Sequence, residues 1–573
     1  MYARIRSLEN ISRSAPLPSP PIGWTRVHAS RVKHPCIGNH PEENDGKGEE
    51  VEWRCSFVRP EGVWRIPSHS VLHIPSQSSV LTSHELAITS SYTATQLVEK
   101  MQKGELKSVD VVTAFCKRAS VAQQLVNCLT EVMFEEAIER AKECDEVVER
   151  EGGRGKGLGK LHGLPVSLKD SFNVRGTTTT IGYIDFLSRP PATTDSNLVA
   201  LLRSEGAIFY CKTNLPQTMM TADTHNNVFG RTLNPLNLGF TAGGSTGGES
   251  ALIAMGGSII GLATDIAGSC RIPALCCGLF SFKPSAGRVP FGGGVAPGRL
   301  GSPSSIAPVV GPMGRNVRDL ELMLSTIITD KTWEFDESVV GVPWRKVEPV
   351  TQSLRFGLIR GHPKRPLHPP IARALHSAAT RLKEHGHEIV LLDGLIPDLW
   401  DIWTLACKFF SLDPKNMPME ILKAAGEPPV PSVEKMSMGD NKWEPTLDAL
   451  FDMNIAKWKV VKKFHDLIVE HQLDAVLLPG FQATAVPHDQ YGEALYTALV
   501  NFLNYPSAII PYLEANKQLD EPFFKSDVAY EPPYNAELFE GMPAHVQVMG
   551  KPMQDEELME ILKVVEEILG KNT

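Results

Sequence analysis

Two serines and a lysine carry the chemical interest of this chain. Ser245 lies in Gly243-Gly244-Ser245-Thr246-Gly247-Gly248-Glu249, and Ser269 follows 24 residues later in Thr264-Asp265-Ile266-Ala267-Gly268-Ser269-Cys270-Arg271. Lys169 closes the segment Leu161 to Leu168 and precedes Asp170. A serine hydroxyl attacks a carbonyl only when a base takes its proton. His162 is the one histidine near these motifs, which favours lysine as the base. A lysine serves only when neutral, so its pKa must fall well below about 10.4 through burial or neighbouring donors. The short, largely apolar run Pro165 to Leu168 suits burial, whereas an isolated lysine beside Asp170 reads as a surface ion pair.

The glycine-serine run has rival readings. It is flanked by apolar segments, unlike a flexible linker. Gly243 and Gly248 have the spacing of a phosphate-binding loop, but Glu249 stands where lysine belongs and would repel phosphate. Gly243 to Gly247 matches the Gly-x-Ser-x-Gly nucleophile elbow, with His162-Gly163 as a candidate oxyanion segment. An elbow follows a hydrophobic strand, and Asn234 to Ala242, with Pro235 and Gly239, has little strand character. A purely structural turn would not ask for two serines and a lysine in defined contexts.

The elements that must position these groups alternate between helix and strand. Order begins near Ser83, and Thr93 with Gln96 forms a capping-box pair ahead of Leu97 and Val98. Val112, Phe115, Cys116 and Ala119 share one face of a helix that follows Ser108. Leu198 to Arg203 reads as helix, Gly206 stops it, and Ala207 to Cys211 reads as a buried strand. Ile371, Ala372, Leu375, Ala379 and Leu382 form another helical face, ended by Gly386 and followed by a strand from Glu388 to Leu392. Ala475 to Leu478 is a further strand, and Leu558, Ile561, Leu562, Val565 and Leu569 mark a last helix. This is α/β alternation without internal repeats.

Residues 1–77 differ from the rest. Pro16, Pro18, Pro20 and Pro21 cluster there, and a charged run extends from Glu42 to Glu50, so the region is expected to be a poorly ordered extension. Its Arg- and Ser-rich first third resembles a mitochondrial presequence, but the prolines interrupt any amphipathic helix.

Bulk properties narrow the partners. The 573 residues carry a net charge of −9, which gives no electrostatic case for nucleic acid or an acidic membrane. The longest internal apolar stretch, Ser250 to Thr264, is too short and glycine-rich to span a bilayer, so no integral membrane association is expected. Ten scattered cysteines without CxxC spacing fit a reducing compartment, and a cytoplasmic location is expected. His385 and His387 lack the companions of a metal site, so no metal is expected.

Residues 243 to 284 resemble the signature of the amidase signature family. The chain reads GGSTGGESAL, then ATDIAGSCRIPALCCGLFSFKP, with the family's 24-residue spacing between the two serines. Leu161 to Asp170 resembles the family's lysine motif and Lys212 to Gln217 its KTNxPQ segment. Gly541-Met542-Pro543 with Gln547 and Gly550 resembles its closing motif. The resemblance runs from about residue 80 to the C-terminus and is nearest to fungal acetamidase-like members.

It implies one amidase signature domain over residues 78–573, with a central mixed sheet covered by helices on both faces. It also implies hydrolysis of a carboxylic amide, without a cofactor, to an acid plus ammonia or an amine. Lys169 would take a proton from Ser245, whose peptide bond is cis in the family, and Ser245 would take that of Ser269, the nucleophile. Met219, Thr221 and Ser245 would contact substrate, and the backbone N–H groups of Ile266, Ala267, Gly268 and Ser269 would hold the oxyanion. Asp265 and Arg271 would hold the loop in shape. Thr246, Ser250 and Cys270 depart from the pattern without loss of the triad. Ala267 replaces a glycine, and its Cβ restricts φ within the oxyanion segment. The implied partner is a small-molecule amide, with a homodimer left open. A glutamine-dependent transamidase-like subunit and a catalytically inactive binding protein are the alternatives, and intact Lys169, Ser245 and Ser269 argue against the second.

Overall fold

The computed structural model describes residues 70–150, 158–302, 305–436 and 444–570. Fifteen strands are present among them. β1 (Leu129–Val132), β2 (Pro165–Lys169) and β3 (Ile208–Thr213) come first. Two small ribbons follow: β4 (His225–Asn226) with β5 (Gly230–Arg231), and β6 (Leu233–Asn234) with β7 (Asn237–Thr241). Then come β8 (Gly261–Asp265), β9 (Phe280–Lys283), β10 (Val309–Gly314), β11 (Arg355–Leu358) and β12 (Glu388–Leu391). β13 (Ala475–Leu478), β14 (Ser507–Glu514) and β15 (Pro543–Met549) complete the set.

Eleven of these strands form one mixed sheet in the order β1-β3-β2-β8-β10-β9-β14-β15-β13-β11-β12. Every residue of β2, β3, β10, β13 and β15 is buried. Side chains alternate between faces along a strand, so these strands are covered on both sides. The edge strand β12 has both ends exposed. This is the α/β architecture with a central mixed sheet that the sequence implied.

The helices form where periodicity and caps direct them. Ala94–Gln102 begins with Thr93 accepting from the Gln96 N–H while Gln96 reaches back to the Thr93 N–H. Ser108–Val126 buries Val112, Phe115, Cys116 and Ala119, the face expected from the sequence. Pro369–Glu384 and Asp555–Gly570 bury their periodic apolar faces in the same way.

Two differences from the sequence reading have physical causes. Val71 and Ile74 are buried, and the Val71 N–H donates to the Pro235 carbonyl, so the folded body reaches back into the stretch expected to be an extension. The remainder of that expectation, residues 1–69, lies outside the described residues. Second, Asn237–Thr241 is a strand. Asn234 Oδ1 accepts from the Leu236 N–H and Asn237 Oδ1 from the Gly239 N–H, turns that accommodate Pro235 and Gly239 within a hairpin. β7 pairs with β6 outside the central sheet, so Ser245 follows a side ribbon, which is not how a nucleophile elbow is built.

Candidate active site

β3, β2 and β8 run parallel side by side, and the three motif residues gather at their carboxyl ends. Lys169 is the last residue of β2 and Asp265 the last of β8, and Ser269 sits in the turn between β8 and the helix Arg271–Cys277. This is where open α/β sheets place their ligands. Ser245 reaches the same point from the start of the helix Gly247–Ala254, and its bond to Gly244 is cis. Gly244 is required by close approach, because a Cβ there would lie 2.3 Å from the Thr221 carbonyl oxygen.

Lys169 is completely buried, and its Nζ donates to Ser245 Oγ and to Thr264 Oγ1, both at 2.7 Å. Burial pulls its amine from an ordinary 10.5 down to about 7, and the attraction of Asp265 only partly offsets this. Asp170 does not pair with Lys169. It takes Lys212 at 3.2 Å, the Thr130 hydroxyl and the Ile181 N–H, which excludes the surface ion pair.

The loop carrying Ser269 is held by charge. Asp265 accepts from the Gly268 and Cys270 N–H groups and pairs with Arg271 at 3.0 Å. Asn501 donates to Asp265 and accepts from Arg271, and Gln547 accepts from Arg271. Burial alone would push Asp265 up, but the Arg271 charge prevails and holds it at about 2. Asp265 and Arg271 thus shape the loop, as the resemblance implies.

The oxyanion expectations need two corrections. The Gly268 N–H donates to Asp265 Oδ1 at 2.9 Å, so it is engaged in the loop's own scaffold. Gly268 is also where φ is positive, at +125°, and a Cβ there would meet Thr497 Oγ1 at 2.3 Å. Ala267 is absent from the non-glycine residues of positive φ, so its Cβ introduces no left-handed strain. Thr497 Oγ1 donates to the Ala267 carbonyl and fixes that peptide's orientation.

Ser245, Ser269, Ile266 and Met219 line one cavity of about 560 Å³. Thr221 is not among its lining residues: it is buried beneath Gly244, with its hydroxyl donating to the Asp223 carbonyl. The histidines that an elbow mechanism would need stand elsewhere. His545 is buried against the Phe481 N–H and driven down to about 3 by burial, while His488 contacts the Leu238 carbonyl and Asp223. Glu249 lies buried between the Ser167 and Thr213 hydroxyls, and burial raises it to about 7.

Sequence reasoning assigned no role to Thr264, Asn501 or Gln547. Thr264 opens the Thr264–Arg271 motif and adjoins Asp265 on β8, the strand beside the lysine's own, and its place in that motif was the available signal. Asn501 and Gln547 lie 230 and 276 residues from Arg271, a proximity that only the folded sheet creates.

The fold is of the α/β class, and the cluster sets a buried lysine against one serine at the carboxyl ends of its parallel strands. The family model described as Amidase matches residues 110–559. An amidase of Gibberella moniliformis is 36% identical over 504 residues, covering 87% of this chain and 92% of the relative. An acetamidase of Aspergillus oryzae is 36% identical over 553 residues, covering 91% and 96%. The solved structure of a fatty acid amide hydrolase superposes with a TM-score of 0.82 at 31% identity, covering 88% of this chain and 89% of that one. A bacterial aryl acylamidase shares the fold, with a TM-score of 0.67 at 23% identity over 83% of this chain and 96% of its own. This chain belongs to the amidase family and is an amidase. Among the described residues no helix is long and apolar enough to cross a membrane.

Proposed function

We propose that the enzyme hydrolyses a carboxylic amide through an acyl-enzyme on Ser269, with Ser245 as proton shuttle and Lys169 as base. Neutral Lys169 accepts the Ser245 proton as Ser245 takes that of Ser269. Ser269 Oγ bonds to the amide carbon, and the N–H groups of Ile266, Ala267 and Ser269 stabilise the oxyanion. Each such donor is worth roughly 3–4 kcal/mol in related chemistry. As the C–N bond breaks, Ser245 returns a proton to the departing nitrogen and ammonia or an amine leaves. Water then attacks the ester, gives up its proton along the same path, and the free acid departs while Ser269 regains its hydrogen.

The observation that carries this reading is the 2.7 Å contact between Ser245 Oγ and a fully buried lysine whose amine sits at about 7. At neutral pH such an amine is substantially unprotonated, which an exposed lysine is not. A fluorophosphonate serine trap, followed by mass spectrometry of the peptides, tests the assignment. The adduct is expected on Ser269, and an adduct on Ser245 would make Ser245 the nucleophile instead.

A further inference from the structure

The cavity above Ser269 says what kind of amide fits, given the triad just proposed. Its volume of about 560 Å³ would hold roughly 18 waters at ~30 Å³ each. Acetamide, with a single methyl beyond its amide group, would leave nearly all of it to solvent. Besides the two serines the cavity is lined mainly by apolar side chains, among them Phe291, Ile306, Phe409, Phe410, Leu412 and Met419. Phe409 is anchored edge-on against Phe502, with ring centroids 6.2 Å apart, so this part of the wall belongs to the packed core.

Charge gives a second, independent restriction. Among the described lining residues three carry charge: Asp265, Arg299 and Asp413. Arg271 answers Asp265 at 3.0 Å, and Arg299 and Asp413 answer each other at 3.6 Å. Asp413 further accepts from the Lys415 and Met417 N–H groups. A substrate bearing an ammonium or carboxylate would lose its hydration against this wall and meet only groups already neutralised, an uncompensated cost.

We propose that the substrate is a neutral amide with a bulky apolar arm, an aryl group or an alkyl chain of roughly six or more carbons, the ligand class that cavities of ~300–1,000 Å³ enclose. The arm lies along the Phe409–Met419 wall, and the amide meets Ser245 and Ser269 at the floor. Acetamide and zwitterionic amides such as glutamine are poor substrates.

The test uses the purified full-length chain and a series of straight-chain primary amides from acetamide to octanamide, with benzamide, leucinamide and glutamine, read as ammonia release. Burial of each added methylene should raise kcat/KM about fourfold, so octanamide should exceed acetamide by at least roughly a hundredfold, with leucinamide and glutamine well below octanamide. Met419→Trp, which adds bulk to the apolar lining, should lower the octanamide-to-acetamide ratio about tenfold. Fluorophosphonate labelling is run on the same preparation to keep the two readings apart. Ser269 labelled, with a flat or falling series or with glutamine preferred, overturns the substrate class and leaves the triad standing. An adduct on Ser245 overturns the triad reading, and this proposal with it.

Discussion

The cavity has two sides of opposite construction. On one, the segment Asp265–Arg271 is fixed by a buried ion pair, two backbone donors and the side chains of Asn501 and Gln547. On the other, Phe291, Ile306, Phe409, Phe410, Leu412 and Met419 contribute apolar surface. The first side has few tolerable alternatives, because the Asp265 carboxylate and the Arg271 guanidinium are buried and each is answered by particular partners. The second can change residue by residue as long as volume and polarity are kept. On the mechanism proposed above, chemistry falls to the rigid side and substrate choice to the permissive one.

That contrast can be broken by substitution, beginning on the rigid side. Ser269→Ala should lower kcat/KM on the order of 10⁴-fold or more while leaving the thermal midpoint nearly unchanged. A residual activity within tenfold of the parent would remove Ser269 from the chemistry. Arg271→Ala should strand the Asp265 carboxylate and cost about 3–5 kcal/mol in urea unfolding, together with most of the activity. Stability equal to the parent would show that the ion pair does not hold the loop. Gly268→Ala should cost about a hundredfold in kcat, because a Cβ would strike Thr497 and shift the oxyanion segment. The neighbouring Ala267→Gly should change kcat by no more than about threefold, since Ala267 has no positive φ for glycine to relieve. Equal losses at 267 and 268 would contradict the loop geometry described here.

The smallest effects belong to the apolar side. Phe410→Leu should alter kcat/KM about tenfold or less, mostly through KM, without affecting serine labelling. A loss as large as that of Ser269→Ala would erase the distinction between the two sides.

The same division governed what the sequence could disclose. Lys169, Ser245 and Ser269 stood out in the sequence by residue type and spacing, and the structure sets Lys169 against Ser245 at 2.7 Å with both serines on one cavity. The strand Ala475–Leu478 was legible from its short apolar run and the helical face Val112 to Ala119 from its periodicity. The Asn237–Thr241 strand was not, because its asparagine turns look like loop composition until the hairpin closes. The engagement of the Gly268 N–H by Asp265 was hidden for a related reason, since the sequence shows which amides occur in the loop but not which way they point. Phe409 and Met419 lie in apolar helical sequence that reads as ordinary core until the tertiary arrangement opens a cavity beside them.

The central claim is that a buried, neutral Lys169 is the base, and the pH dependence of kcat/KM tests it most directly. Burial favours the uncharged amine, so activity should be low while Lys169 is protonated, climb as pH rises through about 7, and level off above. Lys169→Ala should lose several orders of magnitude and, with it, that ascending limb, and Lys169→Arg should be nearly as damaging because guanidinium does not deprotonate in this range. His162, His488 and His545, replaced one at a time, should each leave the limb in place. An ascending limb that persists in Lys169→Ala at near-normal turnover, and vanishes with one of those histidines, would contradict the mechanism.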